Sequence, residues 1–326
     1  MKHVFCLLLL GSALMMQGCI NIPFDAFLPP SVGQVTYREG KDKNKIAIVD
    51  ISGPITMGIG EESVFNPVTD SVVDLANKLA VAQEDPNVKA LIVRVDSPGG
   101  GVTASDVMYK QLKAFREDKK IPVYVSMVNL AASGGYYVSM AADKVYAHPT
   151  TVTGSIGVIA TFPEASGLMN KIGLDFHAVT TGPYKDAGAF YREWTPQDRQ
   201  YYQVIVDDMF ERFLAVVREG RPGMEQDAIR KAADGRVYTA QQALELGLID
   251  GILYLDDVIA EAKKTVGGDP SVVLIARSRR NTVETAYAQT RAGDTAQPRT
   301  QVNLLNVDLH KAFVVPQEPF QYIWVP

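Results

Sequence analysis

Apolar and polar positions along the chain follow two alternating rhythms. Almost unbroken apolar runs at 46–51, 90–95 and 122–127 read as buried strands. Between them, 71–83 places Val72, Leu75, Leu79 and Ala82 on one helical face, and 104–115 does the same with Val107, Leu112 and Phe115. The alternation continues with a helix over 134–142, strands over 144–147 and 175–180, a long helix from Pro196 to about Glu219, a helix over 256–266 and a strand over 271–276. Thr195 fits the N-cap of the long helix, Pro196 its first turn, and Asp198 its positive end. Thr239 with Gln242 reads as a capping box, and Gly247 stops that helix. Strands alternating with helices predict an α/β domain with parallel pairing.

The two ends break the rhythm. Lys2 and His3 precede an apolar run at 4–16, short for a membrane-spanning helix and of the length of a signal-peptide core. Gln17, Gly18 and Cys19 follow it, which resembles a bacterial lipoprotein signal with Cys19 as the lipidated residue, although Met16 and Gln17 depart from the usual pattern. An ordinary cleaved signal or an uncleaved anchor is the alternative. Removal of residues 1–18 takes Cys6 away and leaves no intrachain disulfide. Residues 19–44, with Pro23, Pro29, Pro30, Gly33 and Gly40, read as a tether, so the folded domain is expected over 45–267. A C-terminal extension, 268–326, then holds the last strand, a polar segment at 277–301 with a flexible character, and an apolar tail. Phe320, Tyr322 and Trp324 alternate there, as in a strand or a docking tail.

Composition narrows the class. The chain has 326 residues, 47% of them apolar and 21% charged, which suits a folded globular protein. A net charge of -5 and mixed signs in the charge run 116–120 argue against a nucleic-acid partner.

Three Gly-rich turns each follow a strand: Asp96-Ser97-Pro98-Gly99-Gly100-Gly101, Ala132-Ser133-Gly134-Gly135 and Thr153-Gly154-Ser155-Ile156-Gly157. Turns at the carboxyl ends of strands gather at one sheet edge, where sites form. Ser133 lies at a helix start, where free N–H groups stabilise negative charge; it is a candidate nucleophile or simply a helix cap. A hydroxyl needs a base, and His148, His177 and His310 show no triad pattern. Lysine is the alternative, provided it is uncharged. Lys185 lies just past a predicted strand, in a Gly182-Pro183 turn beside Tyr184, and the neighbouring Asp186 must point away from it.

The segment Asn129–Tyr137 resembles the nucleophile segment of the signal peptide peptidase A family, and Thr181–Lys185 resembles its base segment, with Ser133 and Lys185 52 positions apart. Asp96–Gly100 is similar to the family's oxyanion loop. Ser155 matches the serine that orients the lysine, and 235–239 with 246–250 resemble the closing motif. The resemblance covers about 45–265. It implies an α/β fold of the Clp-protease/crotonase type, with stacked turns of parallel strands and flanking helices. It implies a Ser133–Lys185 dyad, an oxyanion hole of the Gly100 and Ser133 N–H groups, and no cofactor or metal. The implied partners are peptides such as signal-peptide remnants, a membrane reached by a lipid anchor on Cys19, and a homo-oligomeric ring. The implied place is the cell envelope, facing the periplasm or exterior. A crotonase-like acyl-CoA enzyme and a catalytically silent peptide-binding scaffold remain as alternatives.

Overall fold

The computed structural model describes residues 31–58, 70–278, 282–284, 289–291 and 320–324. The expected signal peptide, Cys19 and most of the polar segment lie outside these residues. The unit considered is Val32–Pro326.

Along the chain run β1 (Ser31–Arg38), β2 (Asp42–Ser52), α1 (Ser71–Glu84), β3 (Val88–Ser97), β4 (Gly99–Gly101), α2 (Val102–Lys119) and β5 (Val123–Ala132). Then come α3 (Gly134–Ser139), β6 (Lys144–Ala147), β7 (Val152–Gly154), β8 (Ile159–Ala160), α4 (Ser166–Ile172), α5 (Pro196–Gly220) and α6 (Gln226–Ala232). The chain continues through β9 (Val237–Thr239), α7 (Ala240–Glu245), β10 (Gly251–Ile252), α8 (Leu255–Val266) and β11 (Pro270–Ser278). A small hairpin, β12 (Thr282–Glu284) and β13 (Gln289–Arg291), and β14 (Phe320–Ile323) complete the described elements.

The main sheet runs β1-β11-β2-β3-β5-β6-β10, with β7 on β5 and β9 on β7. Pairing is parallel from β11 through β2, β3, β5 and β6 to β10, and antiparallel between β7 and β9. Because side chains alternate across a strand, the two faces bury different sets. Ala47, Val49, Leu91, Val93 and Val95 pack with α1, α2, α3 and α5, whereas Ile46, Ile48, Ala90 and Ile92 pack with α8. Coverage on both faces is why these strands read as continuous apolar runs. The main interruption is Arg94, which faces Asp50 in register and binds it in a two-pronged pair at 2.6 and 2.7 Å.

The strand expected at 175–180 is absent: these residues are irregular and exposed, and among the described residues no strand pairs with them. The stretch 19–44 read as a tether contains β1 and the start of β2. Gly40 is no linker glycine there, since a Cβ on it would lie 2.3 Å from the Asp269 carbonyl oxygen. β11 lies beyond the boundary drawn at 267, yet it pairs with β2 inside the main sheet.

Candidate active site

The site is built where β3 and β5 end. Between Val95 and Ser97 the β3–β5 register slips, and the Asp96 carboxylate fills the gap by accepting from the Leu130 N–H at 3.1 Å and the Asn129 amide at 2.9 Å. The chain then enters the glycine run. Ile55 grips it from one side, donating to the Gly99 carbonyl at 2.8 Å and accepting from the Gly101 N–H at 2.9 Å. The Gly100 N–H and carbonyl are thereby turned to the opposite edge. Only glycine fits, because a Cβ on Gly100 would meet the Ile55 oxygen at 1.9 Å.

β5 delivers Ser133. Its φ of 52° and ψ of -113° lie in a region that L residues seldom adopt. Its N–H donates to the Gly154 carbonyl at 2.7 Å, and its carbonyl accepts from the Tyr137 N–H at 2.8 Å. The backbone is thus fixed on both sides of a buried hydroxyl that has no hydrogen-bond partner among the described residues. Strain held in place by surrounding bonds, with a free hydroxyl at its apex, is a nucleophile's geometry. The β5–β7 ladder ends at Ala132 with Gly154, so Ser155 sits beside Ser133, one residue past the last pair. Ser155 is buried, has a φ of 49°, and is held by its N–H to the Arg236 carbonyl at 2.8 Å.

The Ser133 N–H, expected in the oxyanion hole, has a partner of its own: it is engaged by Gly154. The next amide, that of Gly134, opens α3 and therefore has no acceptor within its own helix. A Cβ on Gly99 would lie 2.6 Å from the Gly134 nitrogen and 2.0 Å from the Tyr322 carbonyl oxygen. A carbonyl thus lies wedged between the Gly-run loop and the residue after the serine.

Residues 115–268 match peptidase family S49, and residues 61–153 match the Clp protease family. A Synechocystis protein assigned as a protease is 37% identical over 71% of this chain and 78% of its own length. An Enterococcus faecium protein assigned as signal peptide peptidase SppA is 35% identical over 72% of this chain and 67% of its own. Haemophilus influenzae Protease 4 is 34% identical over 68% of this chain, which spans 35% of that longer protein. The chain belongs to the SppA family of serine peptidases. Its fold is the α/β fold of the Clp-protease and crotonase type.

The Thr181–Lys185 segment, expected to carry the base, lies in different surroundings. Lys185 is exposed in the turn that follows the irregular stretch, and it makes no hydrogen bond with the Ser133 hydroxyl. Asp186 does turn aside: it pairs with Arg192 at 3.1 Å. Arg192 also binds Asp198 at 2.6 Å, in the capping box that Asp198 forms with Thr195. The hydrogen bond from Arg192 holds the Asp198 carboxyl well below the usual carboxylate range, against the opposing effect of burial. The Ala187 carbonyl accepts from Tyr202 at 2.9 Å, and Tyr184 stacks on Tyr201 at 5.1 Å. The lysine turn is therefore fastened to the first turns of α5.

The sequence reading gave no separate part to Gly134, Tyr137 or Phe213, although the first two lie in the Ser133 segment it singled out. Gly134 could have been found from its place at the first helical position, where the N–H is free. Tyr137 and Phe213 pack their rings against Tyr322. Phe213 looks like an ordinary core aromatic in the sequence, and no local signal marks it.

Proposed function

We propose that this SppA-family peptidase is a membrane-associated endopeptidase that degrades signal-peptide remnants and other unfolded apolar peptides through a Ser133–Lys185 acyl-enzyme mechanism. The carrying observation is the strained, buried Ser133 with an unpartnered hydroxyl beside the Gly100 and Gly134 amides. In the proposed cycle, uncharged Lys185 takes the Ser133 proton and Oγ attacks the peptide carbonyl. The two amides hold the oxyanion, a type of contact worth about 10²–10³ in rate per donor. The C–N bond breaks, the amine departs with the proton from Lys185, and water attacks the acyl-enzyme by the reverse route. Ser155 orients the lysine.

The exposure of Lys185 supports its delivery to the serine of a neighbouring copy in a ring. Leu168, Leu174, Phe176, Val179 and Phe190 leave an exposed apolar surface around that segment, of the kind that marks an interface. No helix among the described residues is long and apolar enough to cross a membrane. The membrane reading rests on the apolar run at 4–16 and on Cys19 as a lipid anchor facing the periplasm or exterior. The same separation of Lys185 from Ser133 favours the second reading, a silent peptide-binding scaffold.

The test is hydrolysis of apolar fluorogenic peptides by the assembled chain, with Ser133→Ala and Lys185→Ala beside it. Loss in both variants, with assembly intact, supports the dyad. Hydrolysis that survives Lys185→Ala sinks the base assignment, and an assembled parent that cuts nothing supports the scaffold.

A further inference from the structure

Ser105 is an unusual core serine. It lies in the first turns of α2, is fully buried, and its hydroxyl has no hydrogen-bond partner among the described residues. A helical serine ordinarily returns its hydroxyl to a carbonyl of the preceding turn, as Ser139 does with the Gly135 carbonyl at 2.7 Å. An unbonded buried hydroxyl is costly, and one that persists calls for a partner that arrives later.

Its position indicates which partner. A Cβ on Gly134 would lie 2.4 Å from Ser105 Oγ and 3.1 Å from Gly99 Cα. The hydroxyl therefore borders the space of the absent Gly134 side chain, where the glycine loop approaches the residue after the nucleophile. Gly100 and Gly134 supply the two amides of the proposed oxyanion hole, and the Ser133 hydroxyl beside them is likewise unpartnered. α2 starts at Val102, directly after the glycine run, and its N-cap Gly101 has no side chain to bond the first amides. The positive end of an 18-residue helix thus stands beside Gly100. The side chains of a peptide vary from one substrate to the next; the carbonyl under attack is common to all of them.

We propose that Ser105 is a further catalytic residue, a side-chain donor to the oxyanion formed when Ser133 attacks. This rests on the peptidase reading of Ser133. In that step the Ser133 oxygen bonds to the carbonyl carbon and the C=O π pair moves onto the oxygen. The Ser105 O–H turns to that oxygen and keeps its own proton. When the pair returns and the C–N bond breaks, the hydroxyl is released. A donor that is unbonded at rest and gains its partner only as charge develops acts on the transition state rather than on substrate binding.

Ser105→Ala and Ser105→Cys in the assembled full chain test this. Ser105→Ala is expected to melt at or above the parental temperature, because it removes an unbonded polar group. Its kcat on a fluorogenic peptide is expected to be about 10- to 100-fold lower, with KM within about 2-fold. Cysteine fills the space but donates weakly, so its kcat should stay near that of the alanine variant; a role in packing alone would let cysteine restore activity, and overturns the inference. Labelling of Ser133 by a peptidyl aryl phosphonate, in which Oγ bonds to phosphorus and the aryloxide leaves, reads the same site without turnover. Its rate is expected to fall about 10-fold or more in both variants. Parental kcat and labelling rate in Ser105→Ala overturn the inference and leave the peptidase reading standing. A raised KM at unchanged kcat does the same, since the hydroxyl would then contact the bound substrate alone. A parent chain that neither cleaves a reporter nor takes the label overturns the peptidase reading and this inference with it.

Discussion

The two halves of the proposed dyad are made in opposite ways. The serine half hangs from the sheet: β3, β5 and β7 end together, and ladder register places Gly100, Ser133 and Ser155 with little freedom. The lysine half has no strand behind it. It is an exposed turn on an irregular segment, fastened by Arg192 and by tyrosine contacts to the start of α5. A half built by the chain's own hydrogen bonds is ready before any encounter; a half presented on the surface is placed to meet something else.

The contrast is broken hardest from the serine side. Gly134→Ala puts a Cβ 2.4 Å from Ser105 Oγ and 3.0 Å from the Tyr322 oxygen. It is expected to lower kcat/KM by about 10²–10³-fold. Steady-state kinetics with circular dichroism as a folding control checks this; near-parental activity would remove Gly134 from the oxyanion site. Mixing comes next. If one copy's lysine serves another copy's serine, co-assembled Ser133→Ala and Lys185→Ala chains regain about a tenth or more of parental activity, since head-to-tail contacts repeat around a ring. Mixtures as inert as their components would confine the dyad to one chain.

Arg192→Gln frees Asp186 beside Lys185 and loosens the turn. The expected effect is a kcat about 3- to 10-fold lower with KM nearly unchanged, as for a misplaced catalytic group; an unaltered kcat would make that ion pair irrelevant to the base. The smallest effect is acid sensitivity far from both halves. Burial tends to raise the Asp85 carboxyl, but hydrogen bonds from Lys45, Gln34 and the Asn87 N–H outweigh it and lower it from 3.8 to about 2. Its stabilising contribution is therefore whole above about pH 4 and is lost as the pH falls towards 2. Acid unfolding followed by circular dichroism should be shallower over that interval in Asp85→Asn, and an identical profile would dismiss the group.

What the sequence revealed follows the same division. The buried parallel strands were legible because coverage on both faces demands continuous apolar runs. The capped ends of α5 and α7 were legible because Thr195 with Asp198 and Thr239 with Gln242 satisfy helix-end groups locally. The stretch 175–180 misled because its apolar residues suggest a buried strand, while burial depends on a partner that periodicity cannot report. β4 and β8, of three and two residues, exist as strands through their pairing with β14, more than 150 residues away in sequence. The Ser133 hydroxyl was singled out from its place at a helix start, and the fold buries it without a partner among the described residues; which neighbouring amide stays free depends on Gly154, which only the fold brings across.

Pro98 gives the cleft beside Ser133 a direction in time. In the proposed cycle, a peptide lying as β14 does makes a two-bonded pair with Gly100 at the residue in register with it. Two residues later its amide has only the Pro98 carbonyl to bond, because proline has no N–H to return. Each main-chain bond contributes about 0.5–1.5 kcal/mol. The fragment carrying the new amine is thus held by fewer bonds than the fragment attached to the serine. In the proposed acyl-enzyme cycle that fragment is the first to leave, and the water that completes the turnover arrives at a cleft already half empty.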